Sequence, residues 1–351
     1  MLDFVGEPVA IVLIGVLGGL LLGLAARLGK FCTLGMIEDV HYGHDFGRMW
    51  MWVTALGVAM MANLAAQEMG WLDLSEVALL GTRLSVAGAI VGGLLFGYGM
   101  AQAGNCGYGV LARLGGGDIR ALMIAVVMGV SASATIFGIL RPLRLQLFET
   151  TPSPSNPQSV LSLLESGFGG SSALLGGLLG AGLLVASILY QSQGKRLSRS
   201  IWGAVAGLAI SIGFIGTYQV ASTGFGAWDV ESHSFTAPIG ETIHYAMFSS
   251  GLGPKFGIGS VLGVIIGAAI GSLIQDGFRW EACEDPRELR RQIGGAAMMG
   301  VGAVLAAGCS IGQGLTALSL LSFTAPLVAG SIWLGTWLGL KHLIIGLEAA
   351  N

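Results

Sequence analysis

The chain is poor in charge. Only 11% of its 351 residues are Asp, Glu, Lys or Arg, against about 25% in a soluble domain, so a water-exposed globule of this size is excluded. Cysteine is scarce too: there are four, no two closer than 26 residues. That spacing excludes a CxxC redox pair and a local metal-binding cluster, and leaves open a disulfide assembled in space. No nucleotide-binding motif is present, which argues against ATP hydrolysis by this chain. No Lys or Arg precedes the first apolar run, where Asp3 and Glu7 stand instead, so that run does not read as a cleaved secretory signal. No Lys or Arg lies deep in any apolar run, so charge compensation there is expected from backbone dipoles alone. The net charge of −3 implies no nucleic-acid partner, and nothing implies a cofactor or a metal.

What is abundant is apolar surface and glycine, at 53% hydrophobic residues and 59 glycines. A helix needs roughly 20 mostly apolar residues to cross a bilayer. Nine segments qualify, near 8–28, 48–67, 84–103, 119–140, 172–190, 200–218, 256–275, 293–307 and 325–343. The expected class is an all-α polytopic protein embedded as one domain in the lipid bilayer. Cytoplasmic loops are enriched in Lys and Arg, and Arg27 and Lys30 follow the first span, which places the N-terminus outside and the C-terminus inside. Thirteen basic residues then fall inside, and only Arg83, Arg141, Arg144 and Lys255 outside.

Against this background one pattern occurs three times: a glycine, eight residues, a cysteine, two residues, a glycine. The copies are Gly23–Cys32–Gly35, Gly97–Cys106–Gly109 and Gly300–Cys309–Gly312. The last repeats the middle one at an offset of 203 residues, with Gly92, Gly97, Gly99, Cys106 and Gly109 matching Gly295, Gly300, Gly302, Cys309 and Gly312. The helices leading into Cys106 and Cys309 run in opposite directions, as in an inverted-topology repeat. The division expected is 1–144 as one half, 145–199 as an external loop plus connecting helix, and 200–351 as the inverted half. A fourth, cysteine-free copy is expected within Ala221–Phe225, and Thr151–Pro157 as an exposed external connector.

Each cysteine is followed by a segment too short to span: Thr33–Val40, Gly107–Leu114 and Ser310–Leu321. These read as re-entrant helices with a cysteine at or beside the N-cap, converging on one constriction. Irregular backbone survives at membrane depth only where protein or a water-filled cavity satisfies it. Helix N-termini attract anions, and a thiol is a soft, weak donor and acceptor, so three thiols along a path suit a solute with a soft sulfur atom. The candidate transport residues are Cys32, Cys106 and Cys309, flanked by Gly35, Asn105, Gly107, Gly109, Ser310, Gly312 and Gln313. The competing explanations are ordinary ones: buried cysteine often fills space, and membrane glycines often only let helices pack. Cys283 reads as a bystander. His41, His44, His233, His244 and His342 read as solvated or interfacial. Glu38, Asp39 and Arg113 are candidates for pairing at the cytoplasmic mouth.

The runs Gly29–Cys32, Gly104–Gly107 and above all Gly300–Gly314 resemble the YeeE/YedE family of bacterial inner-membrane proteins over nearly the whole chain. The resemblance implies a sulfur-compound transporter, with thiosulfate as substrate, and an hourglass of inverted halves with four central loops. It also implies that Cys32, Cys106 and Cys309 relay the ion, possession of no catalytic activity, and a TusA-type cytoplasmic sulfur carrier as acceptor. The middle motif departs from the family in reading Gly-Asn-Cys-Gly, so Asn105 adds an amide. The alternatives are transport of another sulfur or selenium species, a membrane sulfur-transfer or thiol enzyme, and a facilitator for a neutral solute such as hydrogen sulfide or water.

Overall fold

The computed structural model describes residues 6–83, 85–148, 151–152, 172–193, 197–281 and 285–348. Cys283 and most of the 151–157 connector lie outside the described residues. Thr151–Pro152 pairs antiparallel with Thr82–Arg83, so the connector begins as a short strand rather than free loop.

The helices are α1 (Glu7–Leu28), α2 (Thr33–Glu38), α3 (Gly47–Glu68), α4 (Val86–Ala103), α5 (Gly107–Gly115), α6 (Ile119–Ile136) and α7 (Arg141–Leu147). They continue with α8 (Ser172–Gln193), α9 (Leu197–Thr223), α10 (Thr236–Phe248), α11 (Phe256–Ile274), α12 (Pro286–Leu305), the π-helical turn α13 (Gly312–Ala317) and α14 (Thr324–Glu348). Their starts follow local chemistry. Asp118 and Asp285 accept N–H bonds from Arg120 and Arg287 at 3.0 and 2.8 Å, and Pro286 occupies the first turn of α12. Both are features of helix N-termini.

Among the described residues, seven helical runs are long and apolar enough to cross a membrane, those containing α1, α3, α4, α6, α9, α11 and α14. Two of the nine expected spans do not meet that measure. The apolar stretch of α8, Gly176–Ser192, is short. α12 starts at Pro286, ahead of the expected 293, and so carries Arg287, Glu288, Arg290 and Arg291 in its first turns.

Glycine sets the packing. A Cβ at Gly15, Gly19 or Gly23 of α1 would strike the carbonyls of Phe256, Ser260 and Val264 of α11 in turn. Contact positions rise together, so the two helices run parallel with their backbones touching, as small residues allow in membranes. By the same register α4 lies parallel to α14, through Gly93 on Val328 and Gly97 on Ile332, and α9 lies parallel to α3, through Gly203 on Met51 and Gly207 on Ala55. α4 and α12 are antiparallel and reciprocal. Gly92 faces the Gly302 carbonyl and Gly302 the Gly92 carbonyl, both at 2.7 Å from the added Cβ; Gly99 and Gly295 face each other likewise at 2.6 Å. Positions 295 and 302 are those that match 92 and 99 at the 203-residue offset, and the contacts pair 92 with 302 and 99 with 295.

Element order carries the same relation. Long, short, long, long, short, long describes α1–α6 and again α9–α14. The short helix α10 takes the fourth place, which corrects the expected position at Ala221–Phe225. There α9 simply continues to Thr223 and Phe225 is fully exposed. The chain turns inward ten residues later, because Ser232 donates to the Ile210 carbonyl at 2.6 Å and Thr217 to the Glu231 carbonyl at 2.9 Å. These bonds lay the returning segment along α9.

Candidate functional site

Each cysteine is presented by the same backbone device. A left-handed residue stands two positions ahead of it: Lys30 (φ 57°), Gly104 (φ 76°) and Ala307 (φ 49°). This breaks the incoming helix, and Cys32 and Cys106 then take extended conformations as N-caps of α2 and α5. The thiol sulfur accepts the N–H of the glycine three residues on, Gly109 to Cys106 and Gly312 to Cys309, each at 3.4 Å. Cys32 is the N-cap of α2 by position and makes no side-chain cap bond. Cys106 and Cys309 are thus sulfur versions of an N-cap, each satisfying one of the donors that a helix start leaves free.

The glycine of each Cys-x-x-Gly also has a reason. A Cβ at Gly109 would lie 2.9 Å from Asn105 Oδ1, one at Gly312 2.8 Å from Ser234 Oγ, and one at Gly35 would collide with the Arg48 guanidinium. A polar side chain covers each capping turn, and only glycine leaves room for it.

The short segments meet in the interior. Thr33 donates to Ser310 Oγ at 3.1 Å, and the Ser310 side chain lies close to the Cys106 thiol. Ser234 lies 3.7 Å from Cys309 Sγ, and Thr316 donates to the His233 carbonyl at 2.7 Å. Cys32 and Cys309 are both within electrostatic reach of Cys106. Cys106 and Cys309 are 0% and 1% exposed and Cys32 is half-buried, so the centre is closed to solvent. Aromatic rings wall it: Phe31 stacks on Trp52 at 4.8 Å, and Tyr108 lies 5.4 Å from Phe235. A cavity of about 90 Å³ opens beside it, lined by Thr33, Met36, Trp52, Ser310 and Trp333 among others.

The remaining expected residues divide. Asn105 is buried over Gly109, and Gly107 sits where a Cβ would press on Thr236 and Met128. Gln313 donates to the Ala307 carbonyl at 2.8 Å, which pins the break ahead of Cys309, while its Oε1 is buried with no hydrogen-bond partner. Among the described residues no cluster of His, Cys, Asp and Glu could hold a metal.

Three expectations need correction. His233 is not interfacial: it is fully buried, with Nδ1 2.6 Å from Ser260 Oγ, because the segment carrying it runs into the core beside α11. The absence of deep cations holds for the sequence runs but not in space. Arg48, at the start of α3, folds back over Gly35 and pairs with Asp39 at 3.2 Å, so a guanidinium stands beside the helix that Cys32 caps. Arg113 and Arg48 both lie within electrostatic reach of Glu38, whereas Asp39 pairs with Arg48 rather than Arg113.

Sequence reasoning missed Ser234, Arg48, Thr33 and the aromatic wall. Ser234 alone had a readable signal, the alternation of long and short elements in the second half.

Comparison with known proteins follows the same lines. The profile of a family described as sulphur transport matches residues 28–338. A relative named thiosulfate transporter TsuA from Spirochaeta thermophila is 28% identical over 340 residues, which is 92% of this chain and 96% of the relative. A protein of the same name from Escherichia coli is 26% identical over 363 residues, 97% of this chain and 94% of that protein.

Proposed function

The chain belongs to the sulphur transport family, and we propose that it carries thiosulfate, or a similar sulfur oxyanion, across the bacterial inner membrane into the cytoplasm. The observation that carries this reading is the set of three sulfurs, each placed at a helix start and within electrostatic reach of Cys106, with Thr33, Ser310 and Ser234 beside them. It is a carrier rather than a catalyst, as the names of its relatives support.

The nine-span reading draws on helix direction. In a chain that crosses with every span, parallel helices are separated by an even number of crossings. α1 parallel to α11 and α3 parallel to α9 satisfy this only if α8 also crosses, and α4 parallel to α14 then requires α12 to cross. Nine spans put the termini on opposite sides, N-out and C-in by the distribution of Lys and Arg. The short helices α2, α5, α10 and α13 then enter from the two faces without crossing. The reciprocal glycines of α4 and α12 support 1–144 and 200–351 as inverted halves about the 145–199 connection.

Transport follows from the caps. The anion arrives from outside at Cys309, where α13 and Ser234 meet, and passes to Cys106 and Cys32. At each station it is held by a thiol, by N–H groups of the helix start and by a neighbouring hydroxyl. Hydrogen bonds to a charged group contribute about 1.5–3 kcal/mol each, so a few per station offset part of the cost of dehydrating a dianion. Three stations of similar strength let the ion move without a deep trap. Because the centre is closed, each step requires the short helices to shift. A TusA-type sulfur carrier is the proposed cytoplasmic acceptor. The test is uptake of sulfur-labelled thiosulfate into proteoliposomes. Wild-type uptake that is lost with Cys309→Ala supports the reading; the absence of uptake by folded wild type refutes thiosulfate as the substrate.

A further inference from the structure

The arginines that the path leaves unused gather in one place. A polar-walled cavity of about 270 Å³ is lined by Arg27, Arg113, Arg120 and Arg279 with Asp118 and Glu281. Both carboxylates are taken by Arg120, at 3.1 and 3.2 Å. Among the described residues, Arg27, Arg113 and Arg279 have no carboxylate within salt-bridge distance, so the cavity holds two positive charges in excess. Arg27 Nε is buried with no hydrogen-bond partner. Arg27 and Arg113 also lie within electrostatic reach of each other, a repulsion that Glu281 and Asp118 offset in part.

The frame is rigid. Arg279 N–H donates to the Gly116 carbonyl at 3.2 Å, Glu281 N–H to the Gly117 carbonyl at 3.2 Å, and Ile119 N–H to the Glu281 carbonyl at 3.0 Å. These bonds clamp the α5–α6 turn against 279–281. Gly116 lets the Arg27 guanidinium lie directly on the turn, where any Cβ would strike it. A polar cavity lined by four arginines and two carboxylates is suited to an oxyanion, which guanidinium binds with paired N–H donors.

Its place in the chain links it to the thiols. Arg113 lies in the last turn of α5, whose first residue follows Cys106, and Arg27 lies five residues before Cys32. We propose that this cavity is a binding site for a small doubly charged tetrahedral oxyanion, the station between the thiols and the cytoplasm. It rests on the transport reading for that role, but not for its ligand chemistry. The positive excess would draw an ion off the neutral thiols and release it readily, because the mouth is open to screening salt.

The experiment is equilibrium binding of radiolabelled sulfate to the full chain in phosphatidylcholine nanodiscs. It is run on the wild type and on a Cys32→Ser, Cys106→Ser, Cys309→Ser variant. The expected result is a sulfate site in both backgrounds that weakens with salt. Arg27→Gln and Arg113→Gln should each weaken it about 10- to 100-fold, the loss of one charge-assisted pair of bonds. Arg27→Lys should lose less, and the distant Arg141→Gln nothing. No sulfate binding by protein with a cooperative melting transition overturns the proposal, as does binding indifferent to both arginines. Displacement of sulfate by a few mole per cent of phosphatidylglycerol would make this a lipid-headgroup site and also overturn it. If thiosulfate uptake fails while arginine-dependent sulfate binding persists, the transport reading falls and the anion site stands.

Discussion

Replacing Cys309 by serine and by alanine separates the two jobs of its sulfur. The sulfur accepts Gly312 N–H at 3.4 Å and faces Ser234 at 3.7 Å, in a position 1% exposed. Serine is a good N-cap and keeps both bonds; alanine keeps neither. Loss of an N-cap costs about 1 kcal/mol, and a buried N–H left without a partner about 1–3 kcal/mol. Cys309→Ala should therefore lower stability by about 1–3 kcal/mol, and Cys309→Ser by less than about 1 kcal/mol. Transport should not follow stability. If the soft sulfur receives the ion, losing about 1.4 kcal/mol of contact slows passage tenfold, so both variants should fall at least about tenfold below wild type. The assays are thermal unfolding in detergent and labelled-thiosulfate uptake in proteoliposomes, on the same preparations. Wild-type uptake by Cys309→Ser would refute the thiol relay and leave the helix N–H groups as the whole of the site. Equal destabilisation by both substitutions would refute the cap.

The glycine after each thiol gives a second test. Gly312→Ala, pressing on Ser234, and Gly109→Ala, pressing on Asn105, should each cut uptake severely, and Ser234→Ala should partly rescue Gly312→Ala; uptake assays with the double variant decide this. At Ala307, whose φ of 49° costs an L-residue about 1–2 kcal/mol, Ala307→Gly should keep uptake and hold or slightly raise the melting temperature, while Ala307→Val should lower it. Glu231 carries the pH dependence. Burial, with Glu241 and Asp229 nearby and Lys255 opposing, raises its carboxyl from 4.5 to about 7. A raised folded-state value means that its contribution to stability is complete below about pH 4.5 and is lost as pH rises through 7. Glu231→Gln should remove that decline, so stability compared at pH 5 and pH 8 should fall in wild type and stay level in the variant.

Much of the fold was legible because the bilayer acts on each helix separately. Apolar length and the near absence of charge reveal spans one at a time, and a repeated Cys-x-x-Gly reveals a local turn whose cap and glycine lie within four residues. Even so, α8 and α12 stand apart from the other expected spans. The first has a short apolar stretch and the second begins in a charged turn, so neither has the apolar length of the other seven. The fourth short segment was misplaced because Ser234 has no thiol to mark it, and its inward turn depends on bonds from Thr217 and Ser232 to residues 14 and 22 positions away.

The sequence by itself determined the class of protein, the three thiols at matched glycine spacing and the 203-residue correspondence between Cys106 and Cys309. Each is written in short-range spacing or in self-similarity. Only the tertiary structure decided that Thr33 and Ser310 bond beside Cys106, that Arg48 covers Gly35, and that Arg27 and Arg113 share a cavity with Arg279. Arg48 and Gly35 are 13 residues apart, but Thr33 and Ser310 are separated by 277. Nothing local selects such partners. They are chosen by helices that glycine allows to touch backbone to backbone, so the packing of the whole bundle sets which polar groups meet at its centre.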